Sequence, residues 1–200
     1  MQLYHLFHFD RSLKIRWLAA ELDITLDVIQ LNARQGEHRQ EAFKAINPYS
    51  LIPTLVTDDG QTLFEAGAIS LYLCRLHGTE LINEVDPEFM QWLFYFSSSL
   101  DQLSGGIIGL KVLGECEKVR AKLEAKIPSK LAAMEAHLIN KDYWYQDKFS
   151  LLDIFAWQNL AYLRNDKQLQ NYPNLNRYIE KIATRPHLAQ LGADKLLNPS

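Results

Sequence analysis

The chain has 200 residues, 48% of them hydrophobic, which is enough to bury a proper core as one domain or two small ones. A net charge of −3 and a pI near 6.1 supply no general basic field, which disfavours electrostatic binding to nucleic acid or to an anionic membrane. Two cysteines, Cys74 and Cys116, make no disulfide scaffold and point to a reducing compartment, with the cytoplasm as default. The N-terminus lacks a basic segment followed by a long apolar run, and no stretch approaches the roughly 20 apolar residues of a membrane span. A soluble, unexported protein is expected.

In chain order, the pattern predicts a strand over 2–7, a helix over 12–22, a strand over 26–31 and a helix near 39–46. Two β-prone runs come next, 54–57 and 61–64, separated by Asp58, Asp59 and Gly60, a strong hairpin signal. Apolar residues at 68, 69, 71, 72, 73 and 76 then suit a helix over 66–77 with one buried face, stopped by Gly78. This first part reads as α/β. Residues 79–87 form a linker that ends in Asp86 and Pro87, an N-cap followed by proline at the first helical position.

Beyond it strand signals nearly vanish. Helices are predicted near 88–112, 115–140, 150–165 and 174–184, with a short piece after Pro186. The expected division is therefore 1–78, an α/β domain; 79–87, a linker; and 88–200, an all-α domain. The helix over 88–112 carries Phe89, Trp92, Leu93, Phe96, Leu100 and Leu103 on one stripe. Ser97, Ser98, Asp101 and Gln102 lie on its other faces, and Gly105 and Gly106 are a place for it to bend. Ser150 and Asp153 have the spacing of a reciprocal cap, a folding device. Tyr143, Trp144 and Tyr145 just before it read as packing, with closure over an apolar ligand as the alternative.

The informative local chemistry lies around Pro53. A proline directly before a strand costs no ladder hydrogen bond, and a tight turn there is where cis bonds are found. Such a turn faces the N–H and C=O of Ile52 outward, where an extended peptide-like ligand pairs as an added strand. Glu65 and Ala66 sit at the N-terminal end of the next helix, where unpaired N–H groups suit a carboxylate. His5, His8, Asp10, Arg11 and Ser12 occupy the turn between the first strand and first helix.

At these residues the chain resembles the glutathione transferase superfamily. The resemblance rests on three ordered landmarks: Leu3 to Leu22 with its turn and helix, Asn47 to Leu73 with Pro53 and Glu65, and Ser150 with Asp153. It implies a thioredoxin-like glutathione-binding domain, a C-terminal helical bundle domain and a homodimer. It further implies activation of the glutathione thiol for attack on a small hydrophobic electrophile, with glutathione as co-substrate and no metal. His38, His77, His137 and His187 are scattered without metal spacing.

On the same resemblance Ile52, Pro53, Glu65 and Ala66 hold glutathione, and Asp101 approaches the γ-glutamyl amine across the dimer. Family members activate the thiol with a tyrosine, serine or cysteine near the first turn. The candidates here are Ser12 as hydroxyl donor, Tyr4 at the strand end, and Arg11 for positive potential. Ser12 reads equally as a plain helix cap, and Tyr4 as a residue of the sheet core. The turn holds no cysteine, which argues against a thiol transferase of the mixed-disulfide type.

Moving a thiol from a pKa of about 8.5 to below 7 requires roughly 2 kcal/mol of preference for the thiolate. One hydrogen bond and a helix N-terminus supply that. Two positions depart from the family pattern: Ala66 stands where a serine usually binds the γ-glutamyl carboxylate, and Leu51 where lysine or glutamine is common. These departures keep other readings open: a non-catalytic protein-interaction factor of the stringent-starvation type that contacts RNA polymerase, or a passive binder of apolar ligands. Glutathione-dependent peroxide reduction would use the same site.

Overall fold

The computed structural model describes residues 1–197, the side chain of Asp194 excepted. The last three residues of the expected helical domain lie outside it. The chain divides into two compact units, Met1–Ile82 and Asn83–Ser200.

The first unit is a four-stranded mixed sheet with helices. Strand β1 (Gln2–His5) pairs in parallel with β2 (Asp27–Gln30) and antiparallel with β3 (Thr54–Val56), which pairs antiparallel with β4 (Thr62–Phe64). The order is β2-β1-β3-β4. Helix α1 (Ser12–Glu21) packs against α3 (Ala66–His77), and a short 3₁₀ turn (Glu37–Arg39) leads into the one-turn α2 (Glu41–Lys44). Leu3, Leu55, Ile15, Trp17, Leu18, Ile69 and Leu73 form the core and are essentially unexposed.

The hairpin closes through Thr57, whose N–H donates to Gln61 O at 2.9 Å, with Gly60 at φ +84°, a conformation that strains any residue with a Cβ. Gly78 ends α3 for a different reason. A Cβ there would lie 2.2 Å from Leu22 Cδ2, so any other residue would force the Leu22 side chain to shift. Strand β1 stops at His5, two residues short of the sequence expectation. The cause is that the Leu6 and Phe7 N–H groups turn away to Asp10.

The second unit is all helical: α4 (Pro87–Phe94), α5 (Leu100–Leu113), α6 (Glu117–Glu124), α7 (Ile127–His137), α8 (Leu151–Asn165), α9 (Pro173–Ala183), α10 (Pro186–Gln190) and α11 (Ala193–Leu197). Asp86 caps α4 through Glu88 N at 2.9 Å and accepts the Tyr145 hydroxyl. The expected helix over 115–140 is two helices, because Pro128 has no N–H to continue the ladder. Every residue of α8 from Leu151 to Leu163 is buried, making it the central helix of the unit.

The irregularity expected at Gly105 and Gly106 lies elsewhere. Helix α5 runs through both glycines, and the break is a π turn at Tyr95–Ser99. Asn159 of α8 stabilises it. Its Nδ2 donates to Phe96 O (2.8 Å) and Phe155 O (3.1 Å), while its Oδ1 accepts from Ser104 Oγ (2.7 Å). A π turn takes up an extra residue and rotates the helix beyond it, so Asp101 is only 4% exposed. Trp144 (1% exposed) and Tyr145 (4%) are core residues, and the His137 ring stacks on Trp144 at 4.8 Å.

The reciprocal cap on α8 is formed and extended. Asp153 Oδ2 accepts from Ser150 N (2.8 Å) and Ser150 Oγ (3.2 Å), and Oδ1 from Trp144 N (2.8 Å) and the Tyr178 hydroxyl (2.8 Å). Burial pushes the Asp153 carboxyl up to about 6, with these donors pulling the other way. The folded form thus holds this proton more tightly than an ordinary aspartate near 3.8. Its contribution to stability is complete below that value and is lost as pH rises through about 6. Between pH 4 and pH 7 the unfolding free energy of the wild type should fall relative to Asp153→Asn by roughly 2 kcal/mol, read from urea unfolding curves. A difference that does not change with pH would contradict this.

Candidate glutathione site

Strand register decides which residues meet. Tyr4 faces Thr54, His5 faces Gln30, and Thr54 faces Phe64, so the end of β1, the end of β2, the start of β3 and the end of β4 share one edge of the sheet. Four segments emerge there: 31–34 after β2, 6–11 after β1, Ile52 and Pro53 before β3, and Glu65 and Ala66 after β4. Adjacent strands lie about 4.8 Å apart, so this edge spans roughly 14 Å, the scale of an extended tripeptide.

The segment before β3 is held from beneath. Asn47, fully buried, donates from Nδ2 to Thr54 Oγ1 (2.8 Å) and to Leu51 O (3.3 Å), and its Oδ1 accepts from Tyr49 N (3.0 Å). Thr54 Oγ1 also donates to Leu51 O at 2.7 Å. With the Leu51 carbonyl turned inward and the Ile52–Pro53 peptide cis, neither the N–H nor the C=O of Ile52 has a hydrogen-bond partner among the described residues. A main-chain segment just beyond the end of a strand, with an unpaired donor and acceptor, is a template for an added strand. The Leu51 side chain is exposed and takes no part in this tie.

Glu65 stands at the start of α3 with φ +71° and ψ 116°. Such a backbone costs a non-glycine residue of order 1–3 kcal/mol. Its side chain is exposed, caps no N–H, and makes no ion pair among the described residues. The first N–H groups of α3, beginning with Ala66, have no intrahelical acceptor. Glu65 and Ala66 together therefore offer an anionic group and a set of donors side by side. That combination fits the ammonium and carboxylate of an amino-acid terminus.

Asp10 organises the turn after β1. Its Oδ2 accepts from Leu6 N (2.7 Å) and Phe7 N (2.9 Å), and its Oδ1 accepts from Ser12 N (2.8 Å). Arg16 donates from Nη2 to the His8 carbonyl. Sequence reasoning placed Asp10 in the turn without seeing this role, although an aspartate two residues before a helix start is an ordinary capping signal.

The expected thiol-activating residues separate. Ser12 is fully buried, its N–H held by Asp10 and its Oγ without a partner among the described residues, so the helix start presents Arg11 to solvent instead. Tyr4 is 9% exposed, packs on Phe43 at 5.5 Å and sends its hydroxyl to Gln2 Oε1 (3.3 Å), back along β1 and away from the turn. Asp101, expected to approach the γ-glutamyl amine across a dimer, is only 4% exposed. Among the described residues no group of three histidine, cysteine or acidic side chains is arranged to hold a metal, and no helix is long and apolar enough to cross a membrane.

Residues 1–75 match the family described as Glutathione S-transferase, N-terminal domain, and residues 112–193 match Glutathione S-transferase, C-terminal domain. A glutathione S-transferase of Hyoscyamus muticus is 26% identical over 194 residues, covering 90% of this chain and 85% of the relative. Disulfide-bond oxidoreductase YfcG of Escherichia coli strain K12 is 29% identical over 191 residues, covering 86% and 84%. Among solved structures, glutathione transferase URE2P6 from Phanerochaete chrysosporium, in complex with oxidized glutathione, superposes with a TM-score of 0.86 at 19% identity, over 98% of this chain and 96% of that one. With the thioredoxin-like sheet, the helical unit and both domain matches in one chain, this protein belongs to the glutathione S-transferase superfamily.

Proposed function

We propose that the chain binds glutathione along the sheet edge and activates its thiol for attack on a hydrophobic electrophile. The observation that carries this reading is the unpaired main chain of Ile52 beside the unpaired Glu65 carboxylate on one edge of one sheet. The cysteinyl main chain pairs with Ile52 as an added strand. The γ-glutamyl ammonium goes to Glu65, and its carboxylate to the N–H groups that open α3. The sulfur then falls toward the turn after β1.

There the thiolate is favoured by the Arg11 guanidinium and by the N-terminal end of α1, each worth a few tenths to about 1 kcal/mol at an exposed position. Sulfur attacks the electrophilic carbon, the leaving group departs with its bonding pair, and the thiol proton passes to solvent. Ser12 enters only as a hydroxyl beneath the turn. A homodimer and a cytoplasmic setting remain part of the proposal on family likeness alone.

Titration calorimetry with glutathione tests the binding step. Saturable binding is expected in the wild type, lost in Ile52→Pro and in Glu65→Ala while both keep the wild-type circular dichroism; no heat at millimolar glutathione would contradict the reading. Ala66→Ser should tighten binding about tenfold or more, because it supplies a hydroxyl donor to a charged carboxylate. For the thiol step, the rate of arylation by 1-chloro-2,4-dinitrobenzene should rise with the glutathione thiolate. Arg11→Gln is expected to move the rising limb of kcat/KM to higher pH by about half a unit, since removing a positive charge disfavours the thiolate. Ser12→Ala should leave that limb in place. The opposite result would return the donor role to Ser12.

A further inference from the structure

The sheet edge carries one more feature, on the β2 side of the turn. A cavity of about 460 Å³ opens between residues 6–7 and the segment after β2. Its volume lies within the range of small-molecule sites. Leu6, Phe7, Leu31 and Ala33 form its apolar wall, and Phe7 is 47% exposed, a large ring left without cover.

The polar groups at its rim are unequal. Gln30 Nε2 is used on Leu6 O at 3.1 Å, and Asn32 Oδ1 accepts from Arg34 N (3.0 Å) and Gln35 N (3.1 Å). The nearest carboxylate in sequence, Glu37, is turned to the Asn32 N–H at 2.6 Å. The Arg34 guanidinium, by contrast, makes no hydrogen bond or ion pair among the described residues. An apolar wall with one unmatched cation at its mouth complements a ligand with an apolar body and a single planar anionic group, which a guanidinium meets with two parallel hydrogen bonds.

We infer that this cavity is the seat of the second substrate and selects an aromatic or alkyl acid, with Arg34 on its carboxylate. Its role as second-substrate site rests on the glutathione reading above, since the wall residues Leu6 and Phe7 belong to the turn at which the sulfur is placed. The glycyl carboxylate of glutathione is the competing anion. It would use Arg34 but has no apolar body to fill a wall of four hydrophobic side chains.

For an aryl chloride bearing a carboxylate, the glutathione sulfur forms the new C–S bond at the chlorinated carbon. Chloride leaves with the C–Cl pair, and the thiol proton goes to solvent. Arg34 touches only the carboxylate and acts as a specificity residue.

The test begins with binding and needs no turnover. Fluorescence titrations of 1-naphthoate and of the neutral 1-naphthalenemethanol are run on the wild type, Arg34→Gln and Arg34→Lys, with glutathione titrated into the same three proteins. Arg34 is exposed, so its replacement should not disturb the fold. Naphthoate should bind the wild type more tightly than the alcohol and lose about ten- to a hundredfold in Arg34→Gln. It should recover partly in Arg34→Lys, with the alcohol and glutathione unaffected. Equal affinity for the two naphthalenes, absence of saturable naphthoate binding, or loss of glutathione affinity in Arg34→Gln would each overturn the inference. A wild type that discriminates naphthoate but takes up no glutathione would support the acid site while sinking the glutathione reading. The kinetic counterpart is 4-chloro-3,5-dinitrobenzoate against 1-chloro-2,4-dinitrobenzene. The ratio of their kcat/KM values should fall at least tenfold in Arg34→Gln, and an unchanged ratio would overturn the inference.

Discussion

The binding edge depends on a buried amide. Asn47 ties the Leu51 carbonyl, Thr54 and the Tyr49 N–H together under the segment that precedes β3. Because those groups are satisfied inward, the main chain of Ile52 is the part left facing out. A buried asparagine whose donors and acceptor are all occupied is costly to replace, since each orphaned group forfeits about 1–3 kcal/mol. The same logic operates at the neighbouring strand, where the Asp10 carboxylate gathers three N–H groups and fixes the turn that carries Arg11. Recognition by main chain also makes the proposed site tolerant of side-chain change. Ala66 and Leu51 remove side-chain contacts but leave the Ile52 amide and the open end of α3 intact.

In the helical unit, polar residues with every bond made fix positions that apolar packing alone leaves degenerate. Asp153 joins the cap of α8 to Trp144 and Tyr178, and Asn159 selects the π turn in the neighbouring helix. Hydrophobic stripes define which face is buried; these two side chains define the register in which it is buried.

Legibility in the sequence tracks the range of the interactions. The hairpin at 58–60, the cap at Asp86 with Pro87, and the reciprocal cap of Ser150 and Asp153 are each decided by residues within a few positions of one another, and each formed. The split at Pro128 and the capping by Asp10 also carry local signals, which a reading led by hydrophobic periodicity passes over. The π turn carries none, because its partner Asn159 lies 63 residues from Phe96. The side chain of Tyr4 was undecidable for another reason. Leu3, Tyr4 and His5 are all buried, so strand parity does not tell one face from the other. Burial of Ser12 likewise depends on how α1 sits on its own sheet, which no spacing rule encodes. The segment after β2, with Arg34, carries no sequence signal, because a single exposed arginine in a loop is ordinary until a cavity lies beside it.

The central claim is that Ile52 lends its main chain to glutathione as an added strand. Amide hydrogen exchange, monitored residue by residue by NMR with and without saturating glutathione, tests it most directly. The account predicts strong slowing at the Ile52 amide and at the first amides of α3, with the amides of β2 little changed. Saturation by glutathione with exchange at Ile52 unaltered would contradict it.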